Sequence, residues 1–143
     1  VEAGDSLGAL AELYGFGAHE DADGVALGEV LGAGCGDQRL ALDELVQCST
    51  YILTGERRDP ELVGAAAFDY MMLIGTVIGG WQLARGALVA LEQLAAGGDK
   101  AFCEMQVVMA RFYAEHVLPR SSGYAASVRA GSRSTMALSA EAF

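Results

Sequence analysis

The side chains that could carry out acid–base or metal chemistry are few in this chain and lie far apart. The chain has two histidines, His19 and His116. His19 opens the segment His-Glu-Asp-Ala-Asp-Gly, which contains part of a calcium-loop pattern, but the other ligands and the closing glutamate are missing at the required spacing. We interpret this segment as an acidic surface loop, and two histidines are too few for a histidine-based metal or catalytic cluster.

The sequence also has no set of residues arranged for nucleophilic catalysis. Cys103, Glu104 and His116 fall within one predicted helix, but a rotation of about 100° per residue turns them to different faces. His116 lies on the apolar face, where we expect a core histidine or one bonded to a facing backbone group rather than a ligand. The sequence has no Gly-x-Gly-x-x-Gly, Walker-type or Gly-x-Ser-x-Gly motif. We therefore predict no catalytic, cofactor-binding or metal-binding residue in this chain.

Two further groups could in principle contact a cofactor. Met109, Phe112 and Tyr113 could line a flavin or acyl pocket, and three arginines, Arg85, Arg120 and Arg129, could meet phosphates. Aromatic and Met side chains at helical spacing are usually core residues, and the arginines suit helix ends or interface pairs. We predict packing roles for both groups.

The cysteines and the charge balance exclude other classes. Cys35, Cys48 and Cys103 are odd in number and lack Cys-x-x-Cys spacing, so neither a disulfide framework nor a zinc site is indicated, and a reducing, cytoplasmic setting fits. The net charge is −10, and the acidic excess lies in the first half of the chain. Nonspecific nucleic-acid binding needs a basic surface, so nucleic acid is not an expected partner.

The composition predicts one all-α domain, a helical bundle of about four main helices. Residues 1–36 are expected to form an N-terminal arm or first helix with an uncertain boundary, including a helical piece over residues 25–31. From residue 37 to about Gly55 the apolar residues follow a helical period. The bundle is predicted over residues 37–131, followed by a C-terminal tail over residues 132–143.

A second helix is predicted from Asp59 to about Ala95. Asp59 can cap it and Pro60 can take its first position. A membrane span is the alternative, because the segment is strongly apolar and contains Gly75-x-x-x-Gly79. Asp69 interrupts the apolar run, so we predict the central helix of a bundle. Gly75, Gly79 and Gly80 are interpreted as close helix contacts or as room for Trp81.

The third helix is predicted to begin near Asp99, with charged residues on one stripe at positions 100, 104, 111 and 115. The opposite side carries Phe102, Met105, Met109, Phe112, Tyr113 and His116. This apolar surface is wider than one core contact needs, which predicts a second buried surface against another domain or subunit. Pro119 should kink or stop the helix, and a further helix is expected to end at Gly131.

Three segments resemble the acyl-CoA dehydrogenases, in the branch with an extra helical domain after the flavin-binding body. They are Asp-Pro-Glu-Leu at 59–62 leading to Phe68, Ile-Gly at 74–75 with Gly-Gly-Trp-Gln-Leu-Ala-Arg at 79–85, and Phe-Tyr-Ala-Glu-His-Val-Leu-Pro-Arg at 112–120 with the residues after it. The resemblance covers roughly residue 37 to the C-terminus and includes no catalytic signature, so no catalytic residue is carried over.

The resemblance implies an FAD-dependent oxidation of the acyl-CoA α,β bond, with the FAD site and the glutamate base in segments outside this chain. It implies a catalytic body as partner, a homodimer, and a chain that is inactive when isolated. The candidate packing or interface residues of this chain are Trp81, Met109, Phe112, Tyr113 and His116. Two alternatives stay open: a free-standing helical interaction module, and a small helical protein that binds an acyl chain or CoA.

Overall fold

The computed structural model describes residues 34–55 and 57–142. This part contains four α-helices, which are α1 (Gly34–Gly55), α2 (Leu62–Ala95), α3 (Lys100–His116) and α4 (Ser121–Ala130), and two short 3-10 helices at Leu118–Arg120 and Ala140–Ala142. These residues include no strand. The prediction of an all-α bundle with about four main helices is confirmed. The predicted acidic loop at His19 and the helical piece at 25–31 lie outside the described residues.

Helix α2 is the centre of the bundle, with α1, α3 and α4 packed against it. Its first half contributes Leu62, Leu73 and Val77 to the main core, where they meet Leu118 and Val128. Its second half makes a smaller core with α3 through Ala84, Ala87 and Ala110. Small side chains at this second contact let the two helix axes approach closely.

Two helix starts differ from the prediction. Helix α1 begins at Gly34 rather than residue 37, so the end of the Gly-rich run at 32–36 is helical. Helix α2 begins at Leu62, and its N-cap residue Glu61 makes no side-chain capping bond. The predicted capping role of Asp59 is kept in part, because the backbone amides of Glu61 and Leu62 help to lower the pKa of its carboxyl. The carboxylate also accepts hydrogen bonds from the hydroxyl and the amide of Ser132, at 2.6 and 3.3 Å.

The Asp59–Ser132 contact fastens the segment after α4 to the connection between α1 and α2. Ser132 is buried, whereas Met136 and Leu138 further along are exposed. The Ser132 hydroxyl, helped by the amides of Ser132, Glu61 and Leu62, holds the pKa of Asp59 below its usual value. The beginning of the tail is therefore fixed to the bundle.

The remaining boundaries follow local sequence signals. The carboxylate of Asp99 accepts a hydrogen bond from the Phe102 amide at 3.2 Å and caps α3. Helix α3 ends at His116, and Pro119 lies in the 3-10 helix that follows. Helix α4 ends before Gly131, whose φ of 73° suits glycine.

By length and composition alone, α2 could cross a membrane, with a mean hydropathy of 1.7 in its most apolar window. This is weak support for a span, because a central core helix has the same composition. Two polar side chains from neighbouring helices donate hydrogen bonds to backbone carbonyls in the middle of α2, Gln38 to Val77 and Tyr113 to Thr76, both at 3.0 Å. These contacts fit the central helix of a bundle.

Candidate interaction surface

Helix α3 has a charged side and an apolar side, as its sequence predicts. On the charged side Lys100 and Glu104 form an i,i+4 ion pair at 3.7 Å, and both side chains are largely in water. On the other side, five large apolar residues are 46–63% exposed: Phe102, Met105, Val108, Met109 and Phe112. The core of the bundle therefore leaves this wide apolar side uncovered.

Tyr113 belongs to the bundle rather than to this exposed side. Its hydroxyl donates to the Thr76 carbonyl at 3.0 Å, and its ring lies over Gly79, where an added Cβ would be 2.6 Å from the hydroxyl oxygen. Burial raises the pKa of Tyr113. The structure gives this candidate a packing role, and Gly79 is needed for the close contact.

Of the other two glycines predicted to make close contacts, one does so and the other faces open space. A Cβ on Gly80 would be 2.5 Å from Oε1 of Gln38, so α1 approaches closely there. Gly75 has nothing within 4 Å of its added Cβ. The prediction holds for Gly79 and Gly80 and is wrong for Gly75, which lies on the exposed side of α2.

His116 is exposed, so the expectation of a core histidine is wrong. Its ring packs at 4.8 Å from the ring of Phe112, and its Nε2 is 3.9 Å from a carboxylate oxygen of Glu115. Because α3 ends at His116, no further turn covers this side chain. His116 extends the exposed apolar side by one aromatic ring, and Cys103 is buried on another face.

Trp81 lies half-buried on α2, and the guanidinium carbon of Arg85 is 4.9 Å from the Trp81 ring centroid. The pair is typical of a cation–π contact one helical turn apart. Gly79 faces Tyr113 of α3, and a helix turns by about 200° over two residues, so Trp81 lies on the side of α2 away from the apolar side of α3.

Helix α2 continues the exposed apolar surface of α3. Tyr113 lies over Gly79 and Gln106 approaches Gly86, so the two helices run antiparallel along this seam. On α3, Met109 is four residues before Tyr113, and on α2, Gly75 is four residues before Gly79. A step of four residues changes the direction of a side chain by about 40°. Because the two helices are antiparallel, both steps turn away from the seam toward the same open side. Exposed side chains on this side of α2 include Met71, Ile78 and Val89. We call this combined area of α2 and α3 the seam surface.

An apolar groove lies between α1 and the first half of α2 and shares Met71 with the seam surface. It has a volume of about 370 Å³ and is lined by Ile52, Val63, Ala67, Tyr70, Met71 and Ile74. The hydroxyl of Tyr70 is already hydrogen-bonded to that of Ser49 at 2.7 Å. The groove therefore offers an apolar wall.

Among the described residues, no buried side-chain nitrogen or oxygen atom lacks a hydrogen-bond partner. Glu44 of α1 accepts a hydrogen bond from Ser122 at 3.0 Å and pairs with Arg129 at 3.6 Å, which joins α1 to α4. Cys48 is buried beneath this pair, and burial raises the pKa of its thiol. Among the residues that the structure describes, His, Cys, Asp and Glu form no group of three that could hold a metal ion.

The structure thus defines a helical domain with exposed apolar surfaces. The family described as Acetyl-CoA dehydrogenase C-terminal like matches residues 11–139, and the chain belongs to this family. The resemblance predicted from the sequence is confirmed.

Two curated relatives are acyl-CoA dehydrogenases. The 3-methylmercaptopropionyl-CoA dehydrogenase of Ruegeria pomeroyi is 35% identical over 72 residues, which cover 50% of this chain and 12% of that protein. A broad-specificity linear acyl-CoA dehydrogenase of Mycobacterium tuberculosis is 38% identical over 60 residues, which cover 40% of this chain and 10% of that protein. The chain thus matches only about a tenth of the length of these relatives.

Proposed function

We propose that this chain is the C-terminal helical domain of an FAD-dependent acyl-CoA dehydrogenase and that it packs on the catalytic body through the seam surface. The oxidation of an acyl-CoA in fatty acid metabolism, the glutamate base and FAD then belong to the catalytic body. The partner of this domain is the catalytic body, the complete enzyme is a homodimer in the cytoplasm, and the isolated chain is inactive. Family membership supports the enzyme class, and the exposed side of α3 supports the packing role.

The apolar side of α3 is the observation that carries this packing role. Five large apolar residues, at 102, 105, 108, 109 and 112, are about half exposed. With roughly 100 Å² exposed on each, the α3 part alone reaches about 500 Å², within the 300–600 Å² of the largest patch on an ordinary monomer. The α2 part takes the seam surface beyond that range, as expected for a surface covered by another domain.

The groove beside α2 is a poor site for FAD, which supports placing FAD in the catalytic body. A flavin dinucleotide needs donors for its diphosphate, whereas the groove beside α2 is lined by apolar groups and a Tyr70 hydroxyl that Ser49 already engages. The groove does not fit the diphosphate. The domain then acts by burying apolar surface and holding the catalytic body, with no chemical step of its own.

The test uses the natural polypeptide that carries these residues, purified from its host. We expect visible flavin absorbance, a mass well above the 14.9 kDa of these 143 residues, and flavin bleaching when acyl-CoA is added. A colourless protein near that mass would overturn the proposal in favour of a free-standing interaction module.

A matched pair of variants tests the seam surface. Met109→Arg places a charge in the apolar side of α3, so we expect a lower melting temperature of the whole enzyme and faster flavin loss. Ala126→Arg places the same side chain at an exposed position of α4 and should behave as wild type. Equal behaviour of the two variants would refute packing through the seam surface.

A further inference from the structure

Helix α2 extends beyond the first residue of α1, its neighbour. The two helices are joined by a short connection and run antiparallel. A Cβ on Gly80 of α2 would be 2.5 Å from Oε1 of Gln38, and α1 begins four residues before Gln38, at Gly34. The start of α1 therefore lies near the level of Ala84. From there α2 continues for eleven residues to Ala95, which is about 16 Å.

This last part of α2 has an apolar stripe on the side that receives α1. Gly80, Ala84, Leu88 and Leu91 follow one another at spacings of four, four and three residues, which places them on one side of the helix. Ala84 is buried, and Leu88 and Leu91 are half-buried. We call these two leucines the distal stripe. Leu88 is nine residues after Gly79, so it points about 180° away from the seam, and the distal stripe shares no residue with the seam surface.

We propose that residues 24–33 of this chain dock on the distal stripe. These ten residues come directly before α1 and lie outside the part of the chain that the structure describes. Their sequence, Gly-Val-Ala-Leu-Gly-Glu-Val-Leu-Gly-Ala, has one charged residue, Glu29. Ten residues at helical spacing extend about 15 Å, which matches the length of α2 beyond α1. They also fall within the residues that match the family, as expected for a part of the same domain.

The glycines of this segment allow its backbone to lie close to α2. Gly24, Gly28 and Gly32 recur at every fourth position, so at helical spacing they share one side. Val25 and Leu31 flank that side, because Val25 follows Gly24 and Leu31 is three residues after Gly28. A side of glycines with apolar neighbours can receive the branched side chains of the distal stripe, as small residues do at close helix contacts.

The covalent attachment of the segment favours it over a separate partner. Residue 33 is bonded to the first residue of α1, near the level of Ala84, so the segment reaches the distal stripe without a long loop. A short tether gives a local concentration in roughly the millimolar range, which a partner in solution has to exceed. This inference goes beyond the proposed function and does not depend on the enzyme class, because the catalytic body takes the opposite side of α2.

The experiment replaces Leu88 with the photoreactive amino acid p-benzoylphenylalanine in the natural polypeptide. Irradiation should link position 88 to a peptide from residues 24–33, in a product that keeps the mass of one polypeptide. Leu31→Arg changes the segment and leaves the bundle intact, and it should lower the yield of this link at least tenfold. Ala126→Arg introduces the same side chain at an exposed position of α4 and should leave the yield unchanged.

A reciprocal probe keeps the test valid if position 88 does not tolerate the larger side chain. Val25 replaced with p-benzoylphenylalanine should link to a peptide from residues 84–95 of the same polypeptide. Circular dichroism of each variant verifies that the helices are retained.

Four results would overturn this docking: no link from either probe, a link to the catalytic body, a product of doubled mass, or a yield that Leu31→Arg leaves unchanged. A link to the catalytic body would leave the proposed enzyme class intact. Conversely, Met109→Arg tests packing through the seam surface and should not change the yield at position 88. The two proposals can therefore fail separately.

Discussion

The contact between Gly79 and Tyr113 gives a quantitative prediction for two glycines on one helix. In Gly79→Ala the new Cβ would lie 2.6 Å from the Tyr113 hydroxyl, which is held by its bond to Thr76. The ring has to move, which loses a hydrogen bond of about 1 kcal/mol and adds about 1–3 kcal/mol of packing strain. The higher helix propensity of alanine returns about 0.5–1 kcal/mol. We expect a net loss of about 1–3.5 kcal/mol in the free energy of unfolding.

Gly75→Ala is the matched control. It makes the same chemical change one turn earlier on α2, where nothing lies within 4 Å of the new Cβ. The propensity gain is then unopposed, so we expect a stabilisation of about 0.5–1 kcal/mol. The two alanine variants should differ by about 2–4 kcal/mol although they share a helix and a substitution.

A double-mutant cycle identifies the cause. Tyr113→Phe alone should cost about 1 kcal/mol, since it removes the hydroxyl bonded to Thr76. In the Gly79→Ala background the same change also removes the atom closest to the new Cβ, so the coupling should be favourable by about 1 kcal/mol. Urea unfolding followed by circular dichroism measures all four states. Additive effects, or a Gly79→Ala variant as stable as Gly75→Ala, would refute the reasoning.

Three further predictions follow from single contacts. The pKa of Asp59 is lowered in the folded chain, chiefly by Ser132, so this contact contributes stability above the unfolded pKa that is lost as pH falls through the folded pKa. Ser132→Ala should therefore make the free energy of unfolding less sensitive to acid below about pH 4. The buried Cys48 thiol, whose pKa is raised, should react with a thiol reagent at neutral pH far more slowly than in urea, and equal rates would contradict its burial. Acyl-CoA should give no saturable change in Trp81 fluorescence, and saturation would favour an acyl-binding protein.

Most of the bundle could be predicted because its signals are local. The apolar run from Leu62 identified the central helix, α3 begins next to Asp99 as predicted, and α4 ends beside Gly131 as predicted. The two-sided pattern of α3 also predicted its uncovered surface. In each case the deciding interaction lies within a few residues along the chain, which is the range that periodicity and capping patterns describe.

The errors concern residues whose partners are distant in sequence. Asp59 has the pattern of a helix cap, and no local pattern indicates that Ser132, 73 positions away, also donates a hydrogen bond to its carboxylate. His116 lies on the apolar face of its helix, yet the bundle does not cover that face. Gly75 and Gly79 have the same local pattern, and only the placement of Tyr113 distinguishes them. Sequence periodicity assigns a face to a residue and cannot say what covers that face.

The distribution of side-chain sizes explains why this domain suits a role within a larger assembly. Alanines fill much of the interior, at 41, 66, 84, 87, 90, 110, 114 and 125, while Phe68, Phe102 and Phe112 are 50–64% exposed. Small buried residues let the helices approach closely but contribute little hydrophobic free energy each. Covering about 100 Å² on one phenylalanine is worth about 2.5 kcal/mol. The free energy gained by covering all three rings is therefore comparable to the whole folding stability of a small domain. A large part of the stability available to this sequence is therefore realised only when these rings meet a partner.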